Sequence, residues 1–247
     1  MKYQIAIDET GKCPVLGSIS MCCVVIKSIT FFRKYSHLGI KDSKLLSPKQ
    51  IKSIYERTSK DKDIEYYYEY ITPLEIRMSQ EQGFNLNDVE MRHIISLLNN
   101  IKEFWKHEIY LDNFEHNREH FTDRFDRMAP LNLKKEAIEE LKKKGSDFFK
   151  NFKIEHNSDF KHKVTGLASI YAKYFEEKET DENKLIWGEF GSKNPNDLKT
   201  LAFLYKNLAK DTPSPIIRTT WETWKRLKES PEEVEILRQK LQEADLI

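Results

Sequence analysis

The chain has 247 residues, the length of one large domain or of one domain with a small appendage, and enough to bury a full core. Lys and Arg total 41 against 40 Asp and Glu, a net charge of +1, so the total announces no polyanion partner and any basic footprint must be local. No apolar run approaches the ~20 residues of a membrane span, the start lacks a basic-then-apolar signal layout, and Cys13, Cys22 and Cys23 form no metal-ligand spacing; the expectation is a soluble, cytoplasmic protein with reduced thiols.

In chain order, "KYQIAID" (2–8) and "GSISMCCVVIK" (17–27) read as two strands joined by a Gly/Pro loop. The second has a nearly unbroken apolar core, as a strand buried on both faces requires. "SPKQIKSIYERT" (47–58) has Ser47 as N-cap and Pro48 at the first helical position. "DIEYYYEYI" (63–71) has the aromatic and β-branched content of a strand. In "LNDVEMRHIISLLNNIKEFW" (86–105), Ile94, Leu98, Ile101 and Trp105 recur at helical spacing and predict one amphipathic helix. "HEIYLDNF" (107–114) is a strand ending on Asp112, "NLKKEAIEELKKKG" (132–145) a charged helix closed by Gly145, and "NFKIEH" (151–156) a brief strand. "KVTGLASIYAKYFEEK" (163–178) places Val164, Leu167, Ala168, Tyr171, Ala172 and Phe175 on one helical face. Helices follow near 196–210, 219–229 and 231–245. This order predicts an α/β fold with a mixed sheet flanked by helices and a helical C-terminal portion.

Four acids fall at strand ends or just before a helix: Asp8, Glu9, Asp112 and Asp159. The ends of strands in an open sheet form the edge where such folds place ligands. Clustered carboxylates stay ionised only beside a cation, and an all-oxygen set suits Mg²⁺ or Mn²⁺ rather than zinc. Two such ions make a device for in-line phosphoryl displacement. Adjacent strand residues point to opposite faces, so Asp8 and Glu9 share a site only where the strand is ending. Each acid also has a plainer reading as a turn or cap residue, with Asp159 the N-cap of the following helix.

Several blocks resemble, in order, those of the type 2 ribonucleases H (ribonuclease HII and the eukaryotic catalytic subunit). "IDETGKCPVLG" is similar to their Asp-Glu-Ala-Gly-Arg-Gly-Pro-x-x-Gly, "GIKDSKLLSPKQ" to Gly-x-Lys-Asp-Ser-Lys-Lys-Leu-Ser, and "IYLDNF" to the strand carrying the third acid. "HNSDFKHKVTGLASIYAKYFEE" resembles Lys-Ala-Asp-x-Lys-Tyr-Pro-Val-Val-Ser-Ala-Ala-Ser-Ile-x-Ala-Lys, "FGSKNPNDLKT" resembles Gly-Ser-Gly-Tyr-Pro-Ser-Asp-Pro-x-Thr, and "PIIRTTWETW" the final Val-Arg-x-Ser-Trp. The likeness covers about residues 3–226. It implies a ribonuclease H-like catalytic domain over 1–210, with 211–247 as a helical extension packed on it.

By that resemblance the activity is endonucleolytic cleavage of the RNA strand of RNA/DNA hybrids, or at ribonucleotides embedded in duplex DNA, leaving 5′-phosphate and 3′-hydroxyl ends. Asp8, Glu9, Asp112 and Asp159 then hold two Mg²⁺ or Mn²⁺ ions. Gly11, Lys12 and Cys13 stand where the family's Gly-Arg-Gly loop approaches the 2′-hydroxyls, and Ser43, Lys44 and Lys161 are candidate phosphate contacts. Lys for Arg loses the planar fork; Cys13 either meets substrate or is a small buried residue. Arg218 holds either the C-terminal helix or a phosphate. Asn194 replaces the Tyr that stacks at the junction, Lys163 replaces a Pro, and Glu176-Glu177 replace Arg-Asp. These departures motivate an alternative, a non-catalytic or weakly active hybrid-binding protein of the same fold.

Overall fold

The computed structural model describes residues 2–40 and 43–247; Lys41 and Asp42 of the "KDSK" block lie outside the described residues. The chain divides into two compact units, one of Met1–Thr10, Ser20–Tyr70 and Asn85–Phe175, the other of Gly11–Ile19, Ile71–Phe84 and Glu176–Ile247.

The first unit is built on a five-stranded sheet of β1 (Gln4–Thr10), β2 (Ile19–Ile26), β3 (Ile64–Ile71), β4 (Glu108–Asp112) and β5 (Phe152–Glu155), in the order β3-β2-β1-β4-β5. β1 runs antiparallel to β2 and parallel to β4, which is parallel to β5. All eight residues of β2 are buried, as its apolar run predicts. The helices of this unit are α1 (Phe31–Lys34), α2 (Pro48–Thr58), and then, beyond α3 (Pro73–Glu81) of the second unit, α4 (Leu86–Leu98), α5 (Arg118–Asn132), α6 (Lys135–Lys144), α7 (Ser158–Lys161) and the beginning of α8 (Lys163–Trp187). Ser47 caps α2 through a reciprocal capping box with Gln50. One sheet face, carrying Ala6, Cys22, Val24, Ile26 and Tyr110, packs into a core with Val164, Leu167, Ala168, Tyr171 and Phe175 of α8.

The helix predicted over 86–105 stops at Leu98, and Phe104–Lys106 form a separate short 3-10 turn. The Asn100 side-chain amide donates to the carbonyls of Ser96 (3.2 Å) and Leu97 (3.3 Å), so the Asn pair ends the helix locally. Ile101 and Trp105 are nevertheless buried. Four of the described helices have no counterpart in the sequence reading: the four-residue α1 and α7; α3, started by Thr72 and Pro73; and α5, whose Phe121, Phe125, Met128 and Ala129 make its buried stripe despite Pro130 in the last turn. α8 runs nine residues past its predicted end at 178, halting only at Gly188 (φ +80).

The second unit continues with α9 (Leu198–Leu208), α10 (Glu222–Glu229) and α11 (Pro231–Glu243). Its core joins Val15, Leu16, Phe190, Leu204, Ile217 and Trp224 with Leu237 and Leu241 of α11. No described helix is long and apolar enough to cross a membrane.

Candidate active site

β1 does not end at its acids. It pairs with β2 through Asp8, Glu9 and Thr10, whereas its ladder with β4 stops at Ile7 opposite Leu111. Continued by one residue, that register sets Asp8 level with Asp112, the last residue of the neighbouring parallel strand β4. Side chains alternate along a strand, so Asp8 lies on the face of Ala6 and Asp112 on that of Tyr110, the face covered by α8. Glu9 belongs to the opposite face by the same alternation.

Asp8 is 4% exposed. Burial, then the charges of Glu9, Asp159 and Asp112, push its carboxyl well above the usual carboxylate range, against a hydrogen bond from Ser169 that favours the charge. Ser169, on α8, shares a 2.8 Å hydroxyl–hydroxyl bond with Ser43. Ser43, expected at a phosphate, is therefore buried in a Ser43–Ser169–Asp8 chain.

Asp112 Oδ1 accepts the backbone N–H of Ser158 (3.2 Å), tying the end of β4 to the start of α7. Asp159 is the second residue of α7, buried, and accepts the N–H of Phe160 (2.9 Å). It does not cap α8, which begins at Lys163. Lys44 Nζ stands 3.9 Å from Asp159 Oδ2 on a side chain 81% exposed. Lys161 is bound instead to Glu155 (3.2 Å), the residue in register with Asp112 on β5, with His162 3.6 Å from the same oxygen. The Lys161 hydrogen bond holds the Glu155 carboxyl below its usual value. Sequence reasoning passed over Glu155 because nothing local marks its register.

Gly11, Lys12 and Cys13 belong to the second unit. Gly11 takes φ +86, and a Cβ there would meet the Ser18 carbonyl oxygen at 3.2 Å, so glycine is required. Cys13 is exposed, which removes the reading of a small buried residue. Arg218 is buried and donates from Nε to Gly17 O (2.7 Å) and from Nη1 to Lys12 O (3.0 Å), while its guanidinium lies 4.9 Å over the ring of Trp221, the N-cap of α10; its contacts are to this loop and to the start of the C-terminal helix. Lys193, at the second Gly of the resembling block, takes φ +68.

The donor set is entirely oxygen, and four carboxylates share one field around Asp8. That chemistry fits a hard divalent cation. Among the described residues no three His, Cys, Asp or Glu side chains are set to hold a metal as they stand.

The family profile described as "Ribonuclease HII" matches residues 5–224. The ribonuclease HII of Pyrococcus horikoshii is 31% identical over 227 residues, 90% of this chain and 91% of that protein. That of Methanococcus maripaludis (strain C6) is 32% identical over 237 residues, 95% of this chain and 91% of its own. The solved structure of ribonuclease H2 from Pyrococcus horikoshii OT3 aligns with a TM-score of 0.73 at 26% identity, covering 96% of this chain and 99% of that one. With a mixed sheet of the ribonuclease H kind, acids of β1 and β4 on its α8 face, and a match running from β1 into α10, the chain belongs to the ribonuclease HII family of enzymes.

Proposed function

We propose that the protein is an endoribonuclease that hydrolyses the RNA strand of RNA/DNA hybrids, or cuts at ribonucleotides embedded in duplex DNA, leaving 5′-phosphate and 3′-hydroxyl ends. The observation that carries the reading is the Asp8 carboxyl, buried where the β1–β4 ladder stops and repelled by three other acids. Asp8, Glu9, Asp112 and Asp159 would hold two Mg²⁺ or Mn²⁺ ions. When bound, such ions activate a water and stabilise the leaving oxygen.

The chain's own residues supply the rest. Ser169 orients the Asp8 carboxylate, and Ser43 supports Ser169. The Ser158 amide fixes one Asp112 oxygen. Lys44, beside Asp159, offers a cation to a phosphate of the RNA strand. The Gly11–Lys12–Cys13 loop brings backbone to the 2′-hydroxyls, the feature that separates RNA from DNA. Unpaired Cys13, Cys22 and Cys23 agree with a reducing, cytoplasmic setting.

Purified protein given Mn²⁺ or Mg²⁺ is expected to cut the RNA strand of a hybrid duplex and to spare the DNA strand, read on a denaturing gel with both strands end-labelled. An intact RNA strand with either ion refutes the reading. Lys44→Met is expected to raise KM a few-fold, flatten its dependence on salt by about one released counterion, and change stability little, since its side chain is exposed. Steady-state kinetics at several salt concentrations check this.

A further inference from the structure

We infer that Lys193 is a positioning residue: its ammonium, paired with Glu176 in the interior of the second unit, makes the floor on which the Gly11–Gly17 loop rests. The inference depends on the reading that this loop meets the nucleic acid.

The loop begins and ends on glycines in the left-handed region, Gly11 at φ +86 and Gly17 at φ +81. Its backbone lies directly on charged side chains. A Cβ at Gly11 would be 3.6 Å from Glu176 Cγ; one at Gly17 would be 3.5 Å from Glu179 Oε2 and 3.6 Å from Lys193 Cδ. Glu176 is 3% exposed and Lys193 6% exposed. Lys193 Nζ donates to Glu176 Oε1 and, at 2.7 Å, to Thr180 Oγ1. Its carbonyl accepts the Val15 N–H at 3.1 Å. Lys193 thus holds the middle of the loop by its backbone, underlies Gly17 with its stem, and fixes the carboxylate under Gly11 by its charge.

The loop is also held by backbone bonds, from Gly17 N to Ile216 O (2.8 Å) and from Arg218 N to Val15 O (2.9 Å), and by two further charged side chains. Glu179 accepts from Ser18 N (3.2 Å) and Ser18 Oγ (2.5 Å), and Arg218 grips Lys12 O and Gly17 O. A buried ion pair is seldom more stabilising than well-packed apolar groups of the same volume. What it supplies is a single arrangement, because each charge tolerates only its partner. Lys193 moreover adopts a φ of +68, a left-handed backbone unfavourable to a side-chain-bearing residue. A residue held in such a conformation is held by its surroundings, and here these are the floor of one loop.

Two variants test this in the full chain: Lys193→Met, which keeps the stem and removes the charge, and Arg218→Lys, which removes the planar fork. Each is read by amide hydrogen exchange over residues 11–18 and by kcat and KM on an RNA/DNA hybrid with Mn²⁺. Lys193→Met is expected to speed exchange in the loop but not in β1–β4, and to raise KM about tenfold with kcat within about threefold. Arg218→Lys does the same, the two effects fail to multiply in the double variant because one segment is loosened, and Lys193→Arg restores the native KM. A native KM in both single variants, with or without faster exchange, overturns the inference. A native protein that leaves hybrids intact refutes the functional reading instead, and loop exchange still judges Lys193. Should Lys193→Met fail to fold, Arg218→Lys and Lys193→Arg decide.

Discussion

Asp8→Asn is expected to reduce hydrolysis at least about a thousandfold, the loss of several kcal/mol of charge stabilisation in the transition state, while raising the unfolding temperature of the EDTA-treated protein at neutral pH. The two effects have one cause. Asp8 is buried beside Glu9, Asp159 and Asp112, and its carboxyl titrates well above the usual range. The folded chain therefore binds this proton more tightly than the unfolded chain. Stability from the group is present below the unfolded carboxyl value and is lost as pH rises through the raised folded value. Asn keeps the shape and the bond to Ser169 without the charge. Added divalent cation should stabilise the native protein and leave Asp8→Asn nearly unaffected. Thermal melts from about pH 4 to about pH 8, with and without Mn²⁺, and a hybrid cleavage assay check all of this. Full activity in the variant, or a lower melting temperature in EDTA, contradicts the site.

Arg124→Met is expected to cost about 3–5 kcal/mol of folding stability, the magnitude for stripping a buried carboxylate of its cation. Arg124 binds Asp88 through Nη1 and Glu115 through Nε, with all three side chains largely shielded from solvent. Asp88 also forms the capping box of α4 with Asn85. Glu115 lies in the turn after Asp112 and is braced by Asn113 Oδ1 (3.1 Å), so the damage reaches the end of β4. Arg127 binds Asp88 as well (2.6 Å) but is 63% exposed; Arg127→Met should cost under about 1 kcal/mol. Urea denaturation of the three proteins, with midpoints and slopes compared, separates these values.

Much of this fold is written in short-range pattern. The unbroken apolar run of β2, the Ser47 cap and the helical spacing from Val164 to Phe175 each depend on neighbours a few residues away, and each appears as read. What stayed hidden depends on partners far along the chain. The level placement of Asp8 and Asp112 follows from the β1–β4 register, which no local stretch encodes. Lys161 looks like any phosphate-binding lysine until β5 brings Glu155 to it. Ser43 looks like a loop hydroxyl until α8 supplies Ser169. The helix over 86–98 shows the reverse failure: the apolar rhythm persists to Trp105, while the Asn100 amide, capping carbonyls from Ser96 and Leu97, has already ended it.

The acids differ in how firmly the chain anchors them. Asp8, Glu9 and Asp112 ride on strands from the middle of the sheet, whose opening requires melting the whole unit. Asp159 rides on a helical segment of four residues, too short to persist by itself and dependent on the bonds of Ser158 to Asp112 and Thr165. Gentle warming should therefore shed this one carboxylate while the sheet is intact, and the protein should pass into a dormant, still-folded condition that recovers on cooling.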